Sequence, residues 1–384
     1  MRTASIITRR GEMSILQKLT QINWGLVLLI TIIASVGFSA LYSAAGGSFE
    51  PWAGRQMARF AVGIVLMLAV AIIDIRLWFR FSYAFYAFAL LLLVAVEVVG
   101  SIGMGAQRWL DLGVVQIQPS ELMKVALILV LARYFHGLTF EQIGRPHYLI
   151  WPTLLTLVPA ALIVKQPDLG SAILCVAPAG ALFFLAGVRA WKFIVVIGGI
   201  GAAIPVAWQF LREYQKQRVY TFLDPENDPL GSGYHIIQSK IALGSGGIWG
   251  KGYMQGTQSH LQFLPEKQTD FIFTMFSEEM GFVGGLALLG LFLLVMIYGT
   301  AIALRARSDF GRLVASGIMT SFFIYAFINM GMVMGLLPVV GIPLPLVSYG
   351  GTAMMSLLIA FGLVINVYVH RDVHIGRRGL ADER

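Results

Sequence analysis

Apolar stretches of about twenty residues recur from residue 24 nearly to the end of the chain, and they leave few folds open. A run of that length crosses a ~30 Å hydrocarbon layer as a helix, and lipid requires every backbone amide to be satisfied within the segment. Hydrophobic residues make up 57% of the 384 positions, with a mean hydropathy of +0.76, far above a soluble domain. The expectation is an all-α polytopic membrane protein of about ten transmembrane helices. They are placed near 24–44, 57–75, 80–100, 119–135, 147–164, 169–187, 190–211, 270–300, 311–336 and 347–369.

The basic residues set an orientation. With both termini cytoplasmic, the inner side carries Arg9, Arg10, Arg76, Arg133, Arg305, Arg312 and Arg377 among others, as short cytoplasmic loops do. Most outer cations fall in one long loop, at Arg212, Lys216, Arg218, Lys240, Lys251 and Lys267. Flanking cations account for the net charge of +8, so no nucleic-acid partner is called for. The basic amino terminus precedes a run too long for a usual signal-peptide core, so that run reads as the first membrane helix. The chain reads as one transmembrane domain, 1–384, with a cytoplasmic segment 1–23, an extracytoplasmic loop 212–269 and a cytoplasmic tail 370–384. The single cysteine, Cys175, lies in an apolar run and reads as a packing residue. The loop between helices 7 and 8 reads as an ordered outer cap. Within it Ile236, Ile237, Ile241 and Leu243 suggest a short helix on the membrane surface.

Charge gathers in FLPEKQTDFIFTMFSEEMG, residues 263–281, although charged residues are 12% of the chain. Thr269 or Asp270 suits the cap of a helix starting at Phe271, because a short oxygen side chain accepts from free first-turn amides. At about 1.5 Å per residue, Glu278 then falls roughly 12 Å beyond Asp270. A carboxylate that deep costs at least ~2.5–3.5 kcal/mol unless it faces protein or water and finds a partner. A cap accounts for Asp270 but not for Glu278 and Glu279.

Other polar groups converge on the same side. Arg108, Trp109 and Asp111 lie in GAQRWLDLG, and Glu121 and Lys124 share a face of the fourth helix, three residues apart. Asp168 lies in the tight turn between the fifth and sixth helices. The connection GLLPVVGIPLPLVSYGG, with three prolines, reads as irregular and is tolerated at membrane depth only within protein or beside water. Plainer readings stand beside these: Trp109 as an interfacial anchor, Glu121 with Lys124 as a structural ion pair, Arg108 on a lipid headgroup. GSGGIWGKG lacks the spacing of a phosphate loop, and the histidines show no metal-site pattern. The collection suits a substrate with an anionic headgroup and a membrane tail.

The stretches RWLDLGVVQIQPSELMK, QPDLGSAIL, LDPENDPLGSGYHIIQSKIALGSGG, FLPEKQTDFIF and GLLPVVGIPLPLVSYGG resemble the SEDS family (shape, elongation, division and sporulation), and its elongation branch in particular. The resemblance implies an inner-membrane glycosyltransferase that polymerises lipid II into peptidoglycan strands during elongation and rod-shape maintenance. Its implied partners are a class B penicillin-binding protein, other elongation-complex proteins and membrane lipids. Carried over by position, Asp270 is the family's essential acid, Glu121 and Lys124 match its PSE-x-x-K pair, and Arg108 and Trp109 its RW motif. Gln268 departs from the pattern, where relatives often have histidine. The candidate substrate-binding set is Arg108, Trp109, Glu121, Lys124, Glu266, Lys267, Thr269 and Ser348. Asp270 is expected either to activate the acceptor hydroxyl or to hold a divalent cation, Mg²⁺ or Mn²⁺; no cofactor is otherwise implied. The rival reading is a lipid II flippase or another transporter, with which Glu278, Glu279 and the broken connection are compatible.

Overall fold

The computed structural model describes residues 14–103, 106–111, 113, 116–210, 213–225, 232–257 and 267–377. After a short helix α1 (Ile15–Thr20), helices stand at every position expected from hydropathy. They are α2 (Trp24–Ala44), α3 (Ala53–Ile72), α4 (Ile75–Val99), α5 (Pro119–His136), α7 (His147–Lys165), α8 (Leu169–Ala186) and α9 (Ala190–Phe210). A four-residue helix α6 (Phe140–Ile143) precedes α7. Helices α10 (Glu213–Leu223) and α11 (Ser232–Ser245) fall within the long loop, and α12 (Ile272–Arg305), α13 (Asp309–Val333) and α14 (Gly351–Val369) complete the chain. Among the described residues, eight helices are long and apolar enough to cross a membrane, and α9 adds a shorter apolar stretch, Ala190–Val206. Helix α5 falls outside that group. It carries Glu121, Lys124 and Arg133, and most of its residues are buried among its neighbours.

Polar side chains fasten the helices where apolar packing alone is non-directional. Asn366 of α14 donates its amide to the carbonyls of Val70 at 3.1 Å and Ala71 at 3.0 Å. Those carbonyls close α3 and have no helical partner of their own. Cys175 is free and buried, as a packing residue should be.

A small sheet stands among the helices. Strands β1 (Ser101–Gly103), β2 (Ala106–Asp111) and β3 (Gln116–Ile117) form a small antiparallel sheet in the order β1-β2-β3. The local cause is visible in DLG. Asp111 accepts from the amide of Gly113 at 2.8 Å, and Gly113 has φ +85°, the turn that aspartate and glycine favour.

Helix α11 does not lie loosely on a surface. Ile236 and Ser239 are buried, and the Ser239 hydroxyl meets Thr274 Oγ1 at 2.7 Å and the Val333 carbonyl at 3.0 Å. The expected surface helix is therefore docked on α12 and α13, and Ile241 alone of its four apolar anchors is largely exposed.

Helix α12 is two helices joined at a break. Its 34 residues would span about 51 Å if continuous, more than a bilayer core. Gly281 interrupts it with φ 66° and ψ −167°. The loop GSGGIWGKG fits into that break. Lys251 N donates to Glu278 O at 3.1 Å, Gly252 N to Glu279 O at 3.0 Å, and Phe282 N to Gly247 O at 2.9 Å. A Cβ on Gly281 would lie 2.2 Å from the amide nitrogen of Gly250. Gly281→Ala therefore meets both a forbidden dihedral and a backbone clash, and its cost should reach about 1–3 kcal/mol. A clear drop in thermal midpoint in detergent, against an unchanged midpoint for Gly290→Ala in open space, checks this.

Candidate active site

The short first half of α12 presents the acidic cluster. Phe271 stands at the N-cap and makes no side-chain cap bond, and the helix starts at Ile272. The expectation that Thr269 or Asp270 caps this helix is thus corrected. Backbone carbonyls of this stretch are bound from outside instead. Asn329 Nδ2 of α13, fully buried, donates to Asp270 O at 2.9 Å and to Ile342 O at 2.7 Å. Ser348 Oγ donates to Thr269 O at 2.6 Å and accepts from Leu344 N at 2.7 Å. Tyr349 N donates to Gln268 O at 2.8 Å.

The irregular connection between α13 and α14 is therefore a wall that positions Asp270. It contains no helix from residue 336 to residue 350, as its prolines predicted, although α13 ends and α14 begins some residues inside the expected limits. Gly341, with φ +72°, brings its backbone under the carboxylate: a Cβ there would sit 3.4 Å from Asp270 Oδ2. Gln56 Nε2 of α3 holds the far side of the wall through Ser348 O at 3.0 Å. The side chains of Lys267, Gln268, Thr269 and Asp270 remain half-buried at the site. Burial pushes the Lys267 ammonium below the usual lysine range, because desolvation disfavours the charged form. Glu266 lies outside the described residues.

Glu121 and Lys124 lie on the other side of the same wall. Both are buried, with Lys124 Nζ 2.7 Å from Glu121 Oε1. The Tyr325 hydroxyl donates to Glu121 at 3.1 Å and 3.2 Å and also meets Lys124, whose ammonium is 4.5 Å from the Tyr325 ring centroid. Ser356 Oγ donates to Glu121 Oε2 at 3.1 Å. These groups line a small cavity of about 50 Å³ whose remaining wall includes Pro343, Leu344 and Ser348. Tyr325, Ser356 and Asn329 were not singled out from sequence. The signal was present, because each is a polar group within an apolar helix, and such groups face the protein interior.

Arg108 reaches the wall by a third route. Its Nη2 donates to Pro167 O at 2.8 Å, and its Nε lies 3.6 Å from Asp168 Oδ2. Asp168 in turn caps α8 through Ser171 N at 3.1 Å. The same first turn of α8 places Gly170 against Val340 and Ile342. Trp109 is half-buried on β2. The site residues are thus linked through the wall 339–350, with Arg108 engaged by the α7–α8 turn and Lys124 by Glu121 and Tyr325.

Glu278 and Glu279 do another job. Glu278 Oε1 accepts from Lys251 Nζ at 2.7 Å and Thr257 N at 3.0 Å, and Glu279 accepts from Ser43. They have the partners their depth demands, and they clip the outer loop and α2 to the break in α12.

Among the described residues, no group of three His, Cys, Asp or Glu side chains could hold a metal ion. A single carboxylate such as Asp270 fits Mg²⁺ only in the way Mg²⁺ is commonly held, with substrate phosphates and water completing the shell.

A family model described as cell cycle protein, FtsW/RodA/SpoVE, matches residues 17–373. The peptidoglycan glycosyltransferase MrdB of Escherichia coli K12 is 46% identical over 355 residues, covering 90% of this chain and 94% of that protein. A chain from a structure of a peptidoglycan synthase complex that coordinates polymerization and crosslinking superposes with TM-score 0.78 at 34% identity, covering 91% and 98% of the two chains. The rod shape determining protein RodA of Thermus thermophilus superposes with TM-score 0.69 at 29% identity, covering 92% and 98%.

Removing one member of a buried ion pair strands the other. Lys124→Met should lower stability by about 3–5 kcal/mol, and Lys124→Met combined with Glu121→Leu should recover much of that loss. Unfolding of the two purified variants in detergent measures the difference.

Proposed function

This chain belongs to the FtsW/RodA/SpoVE family, and on that premise we propose how its site performs the chemistry of a peptidoglycan glycosyltransferase. It is a multi-pass membrane glycosyltransferase of peptidoglycan synthesis that serves cell elongation. The substrate is lipid II. The acceptor sugar hydroxyl attacks the anomeric carbon of a donor still joined to lipid pyrophosphate; the new glycosidic bond forms as the bond to pyrophosphate breaks. Asp270 takes the hydroxyl proton. Its placement carries this reading: a half-buried carboxylate at a helix start, with its own backbone carbonyl and the opposing loop held by one buried amide. A general base of this kind contributes about 10²–10⁴-fold, provided the hydroxyl comes within about 2.6–3.2 Å.

The departing pyrophosphate needs positive charge opposite it. Lys267 and Arg108, each partly exposed, supply it. Lys124 is committed to Glu121 and acts through the shared wall. Trp109 and Thr269 border the sugars. Asp270 would hold a divalent cation if one takes part, and such an ion would supply positive charge for the pyrophosphate.

All ten predicted segments, α5 and α9 included, cross the bacterial inner membrane, with both termini cytoplasmic and Asp270 outward. The partner is a class B penicillin-binding protein. Likeness to a chain of a complex that couples polymerization with crosslinking supports this pairing. Transport of lipid II is the weaker reading, because Glu278 and Glu279 are consumed by Lys251, Thr257 and Ser43.

Purified Asp270→Asn should lose at least about 100-fold of lipid II polymerisation with its thermal midpoint unchanged; near-normal activity removes Asp270 from either role. Activity should also fall at alkaline pH. The lowered pKa of Lys267 means its neutral amine appears in the folded protein below the usual lysine range. Its hold on pyrophosphate is then present below that lowered value and lost as pH rises through it. Lys267→Arg should carry the alkaline limb of the rate profile to higher pH.

A further inference from the structure

The end of the bundle opposite Asp270 holds a second hollow, unrelated to the chemistry above. It opens where α5 and α8 end and α13 begins, with a volume of about 680 Å³. Its floor is built, and His136 builds it. Nδ1 of His136 accepts from Phe310 N at 3.2 Å, which leaves Nε2 to donate to Ile375 O at 3.1 Å. The ring thereby clips the chain after α14 onto the start of α13. Ile375 and Leu313 are buried beside it.

The rim carries an excess of cations. Arg307, Arg312 and Arg377 line the hollow, against one lining acid, Asp309. Asp309 is engaged by Arg312 at 2.8 Å. Arg307 lies 3.8 Å from Asp372, and both of those side chains are largely in solvent, where such a pair is weak. Arg377 has no acidic partner within ion-pair distance among the described residues. One side of the rim is apolar. Phe140 is 79% exposed, and its ring packs over Gly187 at the end of α8, beside the exposed Phe184 and Leu185. An apolar path thus leads from the cationic hollow onto the flank of a membrane-spanning helix.

We propose that this hollow binds the phosphate of an anionic phospholipid from the leaflet on that side. Guanidinium forks match phosphate oxygens in pairs. Phe140 and the α8 flank give the acyl chains a way out to the bilayer, which a soluble phosphate compound does not need. The bland alternative is a basic rim that only follows the inward bias of positive charge. That rim alone would attract any anionic surface and retain no single molecule.

Native mass spectrometry of the purified full-length protein separates these cases, with phosphatidylglycerol, phosphatidylcholine and inorganic phosphate as probes. Phosphatidylglycerol should be retained at least about tenfold more tightly than phosphatidylcholine. Arg312→Gln combined with Arg377→Gln should abolish that preference, and Arg377→Lys should keep part of it. Should the double variant fail to fold, Arg377→Gln alone carries the test, since Arg377 lies outside every helix. Equal retention of the two lipids by the wild type, or an unchanged preference in a folded Arg377→Gln variant, overturns the proposal. Displacement of the lipid by millimolar inorganic phosphate overturns the lipid as ligand and leaves a soluble phosphate compound in its place.

Discussion

One buried amide, that of Asn329, holds two carbonyls that belong to different parts of the chain. Its bonds to Asp270 O and Ile342 O join the start of α12 to an irregular loop with no helical hydrogen bonds of its own. In lipid each of those carbonyls would cost free energy if left unpaired. Ser348, Tyr349 and Gln56 repeat the arrangement a few residues on. The loop can be irregular because its backbone is satisfied by side chains and by the neighbouring segment, and that satisfaction fixes the Asp270 carboxylate relative to its wall.

The break at Gly281 serves the same end. A continuous α12 would have to tilt or protrude. By ending the first half there, the chain gains a short buried helix with Asp270 before its start and Glu278 and Glu279 near its end. The two glutamates bind Lys251, Thr257 and Ser43, so the outer loop and α2 press the short helix into position. Charges that looked like one cluster along the sequence thus divide between two jobs: an acid half-buried over Gly341 and two acids bound as fasteners.

The helices, the irregular loop and the Glu121–Lys124 pair were legible because each rests on local pattern: apolar length, proline content, three-residue spacing. The exact limits of α12, α13 and α14 were less so, since their ends are set by tertiary bonds. Thr269 and Asp270 look like caps in sequence, yet their stretch is held by Asn329 and Ser348, over fifty residues away. Tyr325 and Ser356 escaped notice because a single polar residue in an apolar helix announces that it faces inward, not what it meets. The small sheet at Arg108 was hidden because the two strands flanking β2 have only three and two residues, too few for a readable period.

The sequence by itself determined a membrane-spanning helical chain, its family and the residue types of its site, because hydrophobic length and motif order are written along one dimension. Only the tertiary structure decided which remote polar groups meet. Lys124 is closed in by Glu121 and Tyr325, Arg108 leans on the α7–α8 turn, and Asp270 stands over Gly341. Such pairings are set by distances between remote segments, and in a low-dielectric interior those distances govern which charges are neutralised.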